Sequence, residues 1–491
     1  MLKPFRIAII GGGISGLALV NRLLELQNER RSGFETRPCK DFDITLYESS
    51  HRLGGTIETE RKDGFVLEKG PDSFISDKPW ALALCKKLGL ESEIIGTRNE
   101  NRKSFVVRNG KLLEIPPGFY LVAPTQIGAF LKSDLFSLPG KLRMMCEPLV
   151  PRGGAGQDES VGSFIRRRFG RECLDRVGQA MIAGIYTGDP DKLSLFATMP
   201  QFKELEKKYG SVIRGLLAAA KKDKGNFKTA SGPRYSLFLS FLHGMETLID
   251  KIKERIPPDA IRLNCGIKEI TQDPQTARWR LLTKAGEMRV FDAVCSTVSS
   301  KISGHLIGKT ARALSDRLNK ISYESVATIN FAFRRQDIRH ALDGFGFVVP
   351  RIEKSSLVAC SFSSQKFTRR APAGMTLLRV YVGGAFGVSV FQKEERELKE
   401  MALGELVKLL GITGKPLFSS LSRYPEAMVQ YGVGHLSLVS GIEDELKKHH
   451  GLFFTGSSFR GVGIPDCIRD AEMAAEQVIA SVSTTPFILP P

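Results

Sequence analysis

Residues 7–16, Ile-Ala-Ile-Ile-Gly-Gly-Gly-Ile-Ser-Gly, run an apolar strand into a glycine turn and on into a helix. Gly11 and Gly13 let the backbone turn tightly and approach a pyrophosphate. Gly16 lets the helix pack closely on the sheet, and the helix N-terminus turns free N–H groups and a positive dipole end to the phosphates. The amphipathic stretch Leu17–Leu26 follows at once, and that context separates the fingerprint from an ordinary turn. The stretch reads as a dinucleotide site on an α/β, Rossmann-like sheet.

The next strand, Asp43-Ile44-Thr45-Leu46-Tyr47, ends at Glu48, whose carboxylate can accept both ribose hydroxyls of an adenosine. Glu48 lies 32 residues past Gly16, where about 20 is usual. The excess, Gln27–Phe42, is polar and basic and reads as a long helix-to-strand loop. Ser49-Ser50-His51-Arg52-Leu53-Gly54-Gly55-Thr56 then sets an arginine and a glycine pair beside the adenosine end. Near the C-terminus, Leu452–Ile468 reads as a strand, a glycine-rich turn and a helix from about Pro465–Asp466 to Ser481. The middle of the chain offers a helix at 246–255, short strands at 261–264, 267–272, 278–283 and 288–291, and a returning strand at Asp292–Thr297.

The bulk composition narrows the class. At 491 residues the chain exceeds one ordinary core, so two or three lobes are expected. Hydrophobic content of 42% and charged content of 25% exclude disorder. Eight cysteines without Cys-x-x-Cys or zinc spacing point to reduced thiols in a cytoplasmic setting, with no disulfide scaffold and no metal. No leader is expected before the first strand, and no run of 18 apolar residues occurs. The net charge of +18 asks for an anionic partner. No nucleic-acid-binding module is present, so an anionic membrane surface or a carboxylate-bearing substrate suits the charge better.

Val161, Phe164, Ile165 and Phe169 follow helical spacing beside Arg166, Arg167 and Arg168. Such a helix either lies on an anionic bilayer or faces its own core with a solvated arginine side. Further on, strands are expected at 326–333, 345–349, 356–362 and 375–384, with a helix over Lys393–Leu410. The aromatics Phe331, Phe333, Phe345, Phe347 and Phe362 suggest a sheet facing a large apolar pocket or simply a core.

The pattern Glu-x-x-x-Arg-x-Gly-Gly at Glu48–Gly55 resembles the long flavin fingerprint of the amine oxidase and phytoene desaturase superfamily. Gly64–Phe74, Glu147–Arg152, Glu159–Phe164, Gly184–Asp189, Ala427–Tyr431 with Gly434-His435, and Gly461–Cys467 resemble the oxygen-dependent protoporphyrinogen oxidases and the related coproporphyrinogen III oxidases nearly end to end. That resemblance implies noncovalent FAD. Gly11, Gly12, Gly13, Ile14, Ser15, Gly16, Glu48 and Ser49 would serve its adenosine side, and Arg52, Gly54, Gly55 and Thr56 its pyrophosphate. Gly70, Pro71, Asp72 and Ser73 would lie along the isoalloxazine, and Ile267 at the adenine. Tyr424 takes a cofactor position where family members often carry tryptophan, and Ser457, Val462, Gly463 and Ile464 lie at the ribityl and ring. The last helix would aim its N-terminus at the pyrimidine edge.

For the substrate, the resemblance implies a porphyrinogen with O2 as acceptor. The Gly184 carbonyl would orient pyrrole N–H groups. Ser104 aligns with a propionate-binding arginine of mitochondrial members and has Arg102 and Lys103 beside it; Asp72 serves as a polar anchor and no residue as general acid or base. The expected architecture is an FAD-binding unit (1–78, 238–300, 440–491), an α+β substrate unit (79–110, 205–237, 301–439) and a mainly helical, membrane-associating unit (111–204). Protoporphyrinogen IX oxidation is the main reading and coproporphyrinogen III oxidation the alternative; a flavin amine oxidase, a carotenoid-type desaturase and a flavin-binding scaffold stand behind them. The setting implied is cytoplasmic, peripheral on the inner face of the cell membrane, with a ferrochelatase contact left open.

Overall fold

The computed structural model describes residues 4–32, 41–154, 156–222 and 237–484. Its first sheet has five parallel strands in the order Ile261–Arg262, Phe42–Tyr47, Phe5–Ile10, Ala293–Ser296, Leu452–Phe454. Both faces are covered, which is why these strands are apolar runs. Ile7 and Ile9 face the helices Ile14–Ser32 and Ile464–Thr484 through Leu17, Val20, Leu23, Ile468, Ala471 and Val478. Ala8 and Ile10 take the opposite face, against Trp279, Leu281 and Phe291 of the antiparallel strands Ile267–Gln272, Trp279–Thr283 and Met288–Phe291. This is the period-two alternation of a strand acting on both sides of one sheet.

Two expectations change here. The first helix runs on to Ser32, so residues 27–32 of the expected loop are helical, and residues 33–40 lie outside the described residues. The helix Pro79–Lys87, assigned from sequence to the substrate unit, packs Ala81, Leu84 and Cys85 into the first core. Its apolar residues recur at helical spacing and meet the nearest uncovered apolar surface.

A second sheet has seven strands in the order Phe418–Gln430, Ser322–Arg334, Met375–Gly383, Leu357–Ser361, Gly344–Val348, Lys103–Arg108, Lys111–Glu114. All pairs are antiparallel except Gly344–Val348 with Lys103–Arg108. Phe331, Phe333, Phe347 and Phe362 pack on Leu398, Ala402, Leu406 and Leu410 of the helix Glu395–Leu410. These four aromatics are core. The opposite face, carrying Thr328, Asn330 and Arg379, meets the Glu68–Gly70 backbone. This contact seats the hairpin Thr59–Lys62 with Phe65–Glu68, and the turn after it, on the second sheet.

A third core gathers short helices between residues 127 and 222 around Phe130, Phe164, Ile165, Phe169, Val177 and Phe202. The helix Val161–Phe169 therefore faces its own protein. Its arginine side is not solvated as a whole: Arg168 is fully buried against Glu147, Arg167 binds Glu206 and Glu159, and Arg166 binds Asp191. No helix among the described residues is long and apolar enough to cross a membrane.

Candidate functional site

The parallel register delivers Gly11, Glu48, Thr297 and Thr455 to one edge of the first sheet, the carboxyl ends of its strands. Ligands of open α/β sheets bind at that edge. The glycines there do different work. Gly11 has φ +110°, and a Cβ on it would lie 2.7 Å from Thr297 Oγ1. A Cβ on Gly16 would lie 1.9 Å from the Gly11 carbonyl oxygen. Gly13 differs, because its Cβ would meet nothing nearer than Gly55 Cα at 4.0 Å. Gly54 N–H donates to the Gly12 carbonyl (2.8 Å), so the two glycine loops face each other. The space at Gly13 fits a pyrophosphate approached by bare backbone.

The helices Ile14–Ser32 and Ile464–Thr484 begin beside one another. A Cβ on Gly456 would sit 3.5 Å from Ser15 Oγ, and Ser15 also reaches the Cys467 thiol. Burial pushes that thiol up to about 12, so it is protonated and no nucleophile. Two helix N-termini at one strand edge make an anion-favouring site from backbone alone.

Glu48 Oε2 accepts from Gly12 N–H and Oε1 from Ser50 N–H, each at 2.7 Å, with Ser49 Oγ at 3.3 Å from Oε1. The Glu48 carbonyl takes Cys265 N–H (2.9 Å), which brings Ile267 to the same end of the sheet. Arg52, expected at the pyrophosphate, instead donates to the Leu53, Gly55 and Ile57 carbonyls and to Glu58 (2.9 Å). It braces the loop that carries Gly54, Gly55 and Thr56. Burial opposes ionisation of Glu58, but Lys69 and Arg52 outweigh it and hold the carboxyl below its ordinary range.

The segment Gly70-Pro71-Asp72-Ser73 is fixed from the Thr56 loop, the strand Phe238–Phe241, the short helix Ser363–Lys366 and the second sheet. A Cβ on Gly70 would fall 1.6 Å from the Thr56 carbonyl oxygen, so only glycine passes there. Asp72 accepts from Lys366 Nζ (2.9 and 3.1 Å) and Ser73 Oγ (2.7 Å), and its carbonyl takes Ser240 Oγ (2.7 Å). Burial disfavours its charge, yet Lys366 and Arg379 outweigh burial and hold it well below the usual carboxylate range. Arg379 donates to the Lys69 and Gly70 carbonyls and lies 4.9 Å from the Tyr381 ring centroid. Tyr424 is half-buried, opposite Val326 in the second sheet, and burial raises its phenol. Glu68, just before the turn, is pushed up to about 7 by burial, which Arg370, Met245 N–H and Thr59 only partly offset.

The loop holding Ser457, Val462 and Gly463 ahead of Ile464 hangs on two aromatic rings. Tyr431 OH donates to the Ser457 carbonyl (2.5 Å) and accepts from Gly461 N–H (2.8 Å). His435 stacks on Tyr431 with centroids 4.2 Å apart and bonds the Phe459 carbonyl through Nε2 (2.9 Å). Asp466, buried in the first turn of the last helix, binds Lys78 (2.6 Å).

Gly184 lies in the last turn of the helix Gln179–Tyr186, where carbonyls run out of helical donors. Tyr186, two residues on, is close enough to Asp466 for their charges to couple, and burial pushes its phenol up to about 12. Arg102 is exposed and donates to Asn99 Oδ1 (2.6 Å). Lys103 is taken by Asp343 (2.7 Å) and Glu114, and the Ser104 carbonyl accepts from Ile115 N–H. Sequence reasoning gave no role to Lys366, Arg379, Tyr431 or His435. Only the tyrosine and the histidine carried a signal, as parts of segments already noted.

The sequence pattern of the flavin containing amine oxidoreductases matches residues 14–479. Coproporphyrinogen III oxidase of Bacillus subtilis (strain 168) is 32% identical over 474 residues, 96% of this chain and 97% of the relative. Mitochondrial protoporphyrinogen oxidase of Nicotiana tabacum is 28% identical, covering 98% of this chain and 96% of the relative. A solved structure from Exiguobacterium sp. 255-15 superposes with TM-score 0.84 at 29% identity, covering 97% of this chain and 99% of the other. The fold, the paired glycine loops and a pattern match spanning nearly the whole chain agree: this protein belongs to the flavin containing amine oxidoreductase family.

Proposed function

We propose that the protein is an oxygen-dependent porphyrinogen oxidase, converting protoporphyrinogen IX to protoporphyrin IX, with coproporphyrinogen III to coproporphyrin III as the second substrate reading. The macrocycle loses six electrons and six protons, and three O2 become three H2O2. The observation that carries this reading is the near-full-length likeness to relatives bearing both substrate names. The second reading draws on the higher identity to the Bacillus relative. Noncovalently bound FAD would supply the two-electron oxidising chemistry.

The unit that holds it would comprise 1–78, 238–300 and 440–491. Gly11–Gly16 and Gly54–Thr56 leave backbone N–H groups open to the phosphates, and Glu48 with Ile267 bounds the adenosine end. Asp72, kept ionised by Lys366 and Arg379, fixes the Gly70–Ser73 turn, which would border the ring. The Gly184 carbonyl accepts a pyrrole N–H and orients the macrocycle. Purified yellow protein mixed with either porphyrinogen in air should develop porphyrin fluorescence while consuming oxygen. Amines and phytoene should give neither response. Rates measured side by side decide the substrate; flavin that stays oxidised with both porphyrinogens once oxygen is excluded defeats the proposal.

The reading extends to peripheral residence on an anionic bilayer. The support is not the arginine run but Leu138, Leu142 and Leu149, exposed at 75%, 68% and 77% on the short helices of the third core. Burying such side chains in lipid is worth roughly 1.5–3 kcal/mol each. Vesicles rich in phosphatidylglycerol should sediment the protein, and Leu138→Ser with Leu142→Ser should release it. Equal sedimentation of both proteins would remove the bilayer from the account.

A further inference from the structure

The helix Gln179–Tyr186 has a second neighbour at its N-terminal end. Gln179 lines a cavity of about 750 Å³, within the size range of small-molecule sites, roughly 300–1,000 Å³. Its walls are the π-helical turn Leu174–Gly178, the short turn Arg351–Glu353 and the loop at Phe386. Helical irregularities of the first kind gather at functional sites. Arg351 N–H donates to Gln179 Oε1 (2.8 Å), tying that wall to the helix that carries Gly184. Along the helix axis Gln179 and Gly184 are about 7.5 Å apart. The loop at Phe386 joins the other end of the same helix, since Ala385 N–H donates to the Thr187 carbonyl (2.9 Å).

The cavity's charges are not balanced. Four cations line it, Arg166, Arg171, Arg351 and Lys354, against three carboxylates, Asp175, Asp189 and Asp191. Arg166 is matched by Asp191 and Arg171 by Asp175, and Asp189 accepts from Asp191 N–H and lies near Arg166. Arg351 and Lys354 have no carboxylate partner among the described residues, because Glu353 between them is taken by Arg176 (3.4 Å). The Arg351 guanidinium lies 4.3 Å from the Phe386 ring centroid, and Phe386 and Ile352 are 39% and 43% exposed. Cations in excess of carboxylates, beside open apolar side chains, suit carboxylates carried on a large apolar body.

We propose that this cavity receives the carboxylate arms of a tetrapyrrole seated at Gly184, and that Arg351 and Lys354 read the additional carboxylates of a four-carboxylate porphyrinogen. The proposal rests on the porphyrinogen reading above in its second form, coproporphyrinogen III, and names what would set that substrate preference. The test titrates the flavin-loaded protein with coproporphyrin III and protoporphyrin IX, stable fluorescent products, so that binding is read without turnover.

Wild type should hold coproporphyrin III more tightly, with the advantage shrinking as salt rises. Arg351→Ala with Lys354→Ala should weaken coproporphyrin III roughly tenfold and protoporphyrin IX less. Arg351→Lys should retain part of the preference, and the KM for coproporphyrinogen should rise relative to that for protoporphyrinogen. An unchanged ratio of the two affinities in the double variant overturns the proposal, as does wild type that binds neither porphyrin. Charge-dependent porphyrin binding without turnover would instead sink the oxidase reading and leave the cavity's assignment standing.

Discussion

Gly13→Val should give a folded protein without its yellow colour. The position is unlike the neighbouring glycines. A side chain at Gly11 or Gly16 runs into Thr297 or into the Gly11 carbonyl, so either change strains the fold itself. At Gly13 the nearest atom to a new Cβ is Gly55 Cα, 4.0 Å away. Valine therefore occupies ligand space rather than protein space. Filling a close backbone approach costs about 1–3 kcal/mol, and the upper end of that range is more than a hundredfold in affinity. Flavin absorbance per protein after desalting measures the loss, and circular dichroism and thermal melting establish that the fold persists. Retained stoichiometric flavin in the valine variant would mean that the pyrophosphate does not pass this turn.

Arg168→Met should destabilise the third core severely. Arg168 and Glu147 are both fully buried, with Nε to Oε1 at 2.7 Å, and Arg168 also donates to the Val150 and Gly210 carbonyls. Glu147 in turn accepts from Ser211 Oγ, Val212 N–H and Ile213 N–H, capping the helix Val212–Lys222. Removing the guanidinium leaves an uncompensated buried carboxylate. Such a change costs about 3–5 kcal/mol, a large share of a typical stability of about 5–15 kcal/mol. Low soluble yield or a marked fall in melting temperature should follow. Adding Glu147→Met should recover part of the loss, because it removes the stranded charge. A solvated surface arginine would cost within about 0.5 kcal/mol, so the melt distinguishes the two readings of this helix directly.

The parts of the site legible from sequence were those made by neighbours along the chain. Ile7–Gly16, Asp43–Glu48 and Leu452–Ile468 each signalled a strand, a turn and an emerging side chain or helix within a few residues. The steric demands involved are local: no Cβ at a close approach, two-residue alternation, a proline in a first helical turn. The alternation of the second sheet was equally readable, but not which side its aromatics took. Phe331 and Phe333 serve a core, and the face that meets the Lys69–Gly70 backbone carries Arg379.

By itself, then, the amino-acid order determined a nucleotide fold closed by segments from both ends of the chain, and the glycine turns that leave backbone open to phosphates. Tertiary structure alone decided where the charges went. Asp72 found Lys366 at a separation of 294 residues, Arg52 turned inward to Glu58, and Arg168 left solvent for Glu147. It also left Arg351, beside Phe386, and Lys354 without a carboxylate partner among the described residues. The physical reason is that a turn's geometry follows from bonded neighbours, whereas the fate of an ionisable group depends on which distant partner and how much water the finished packing leaves it.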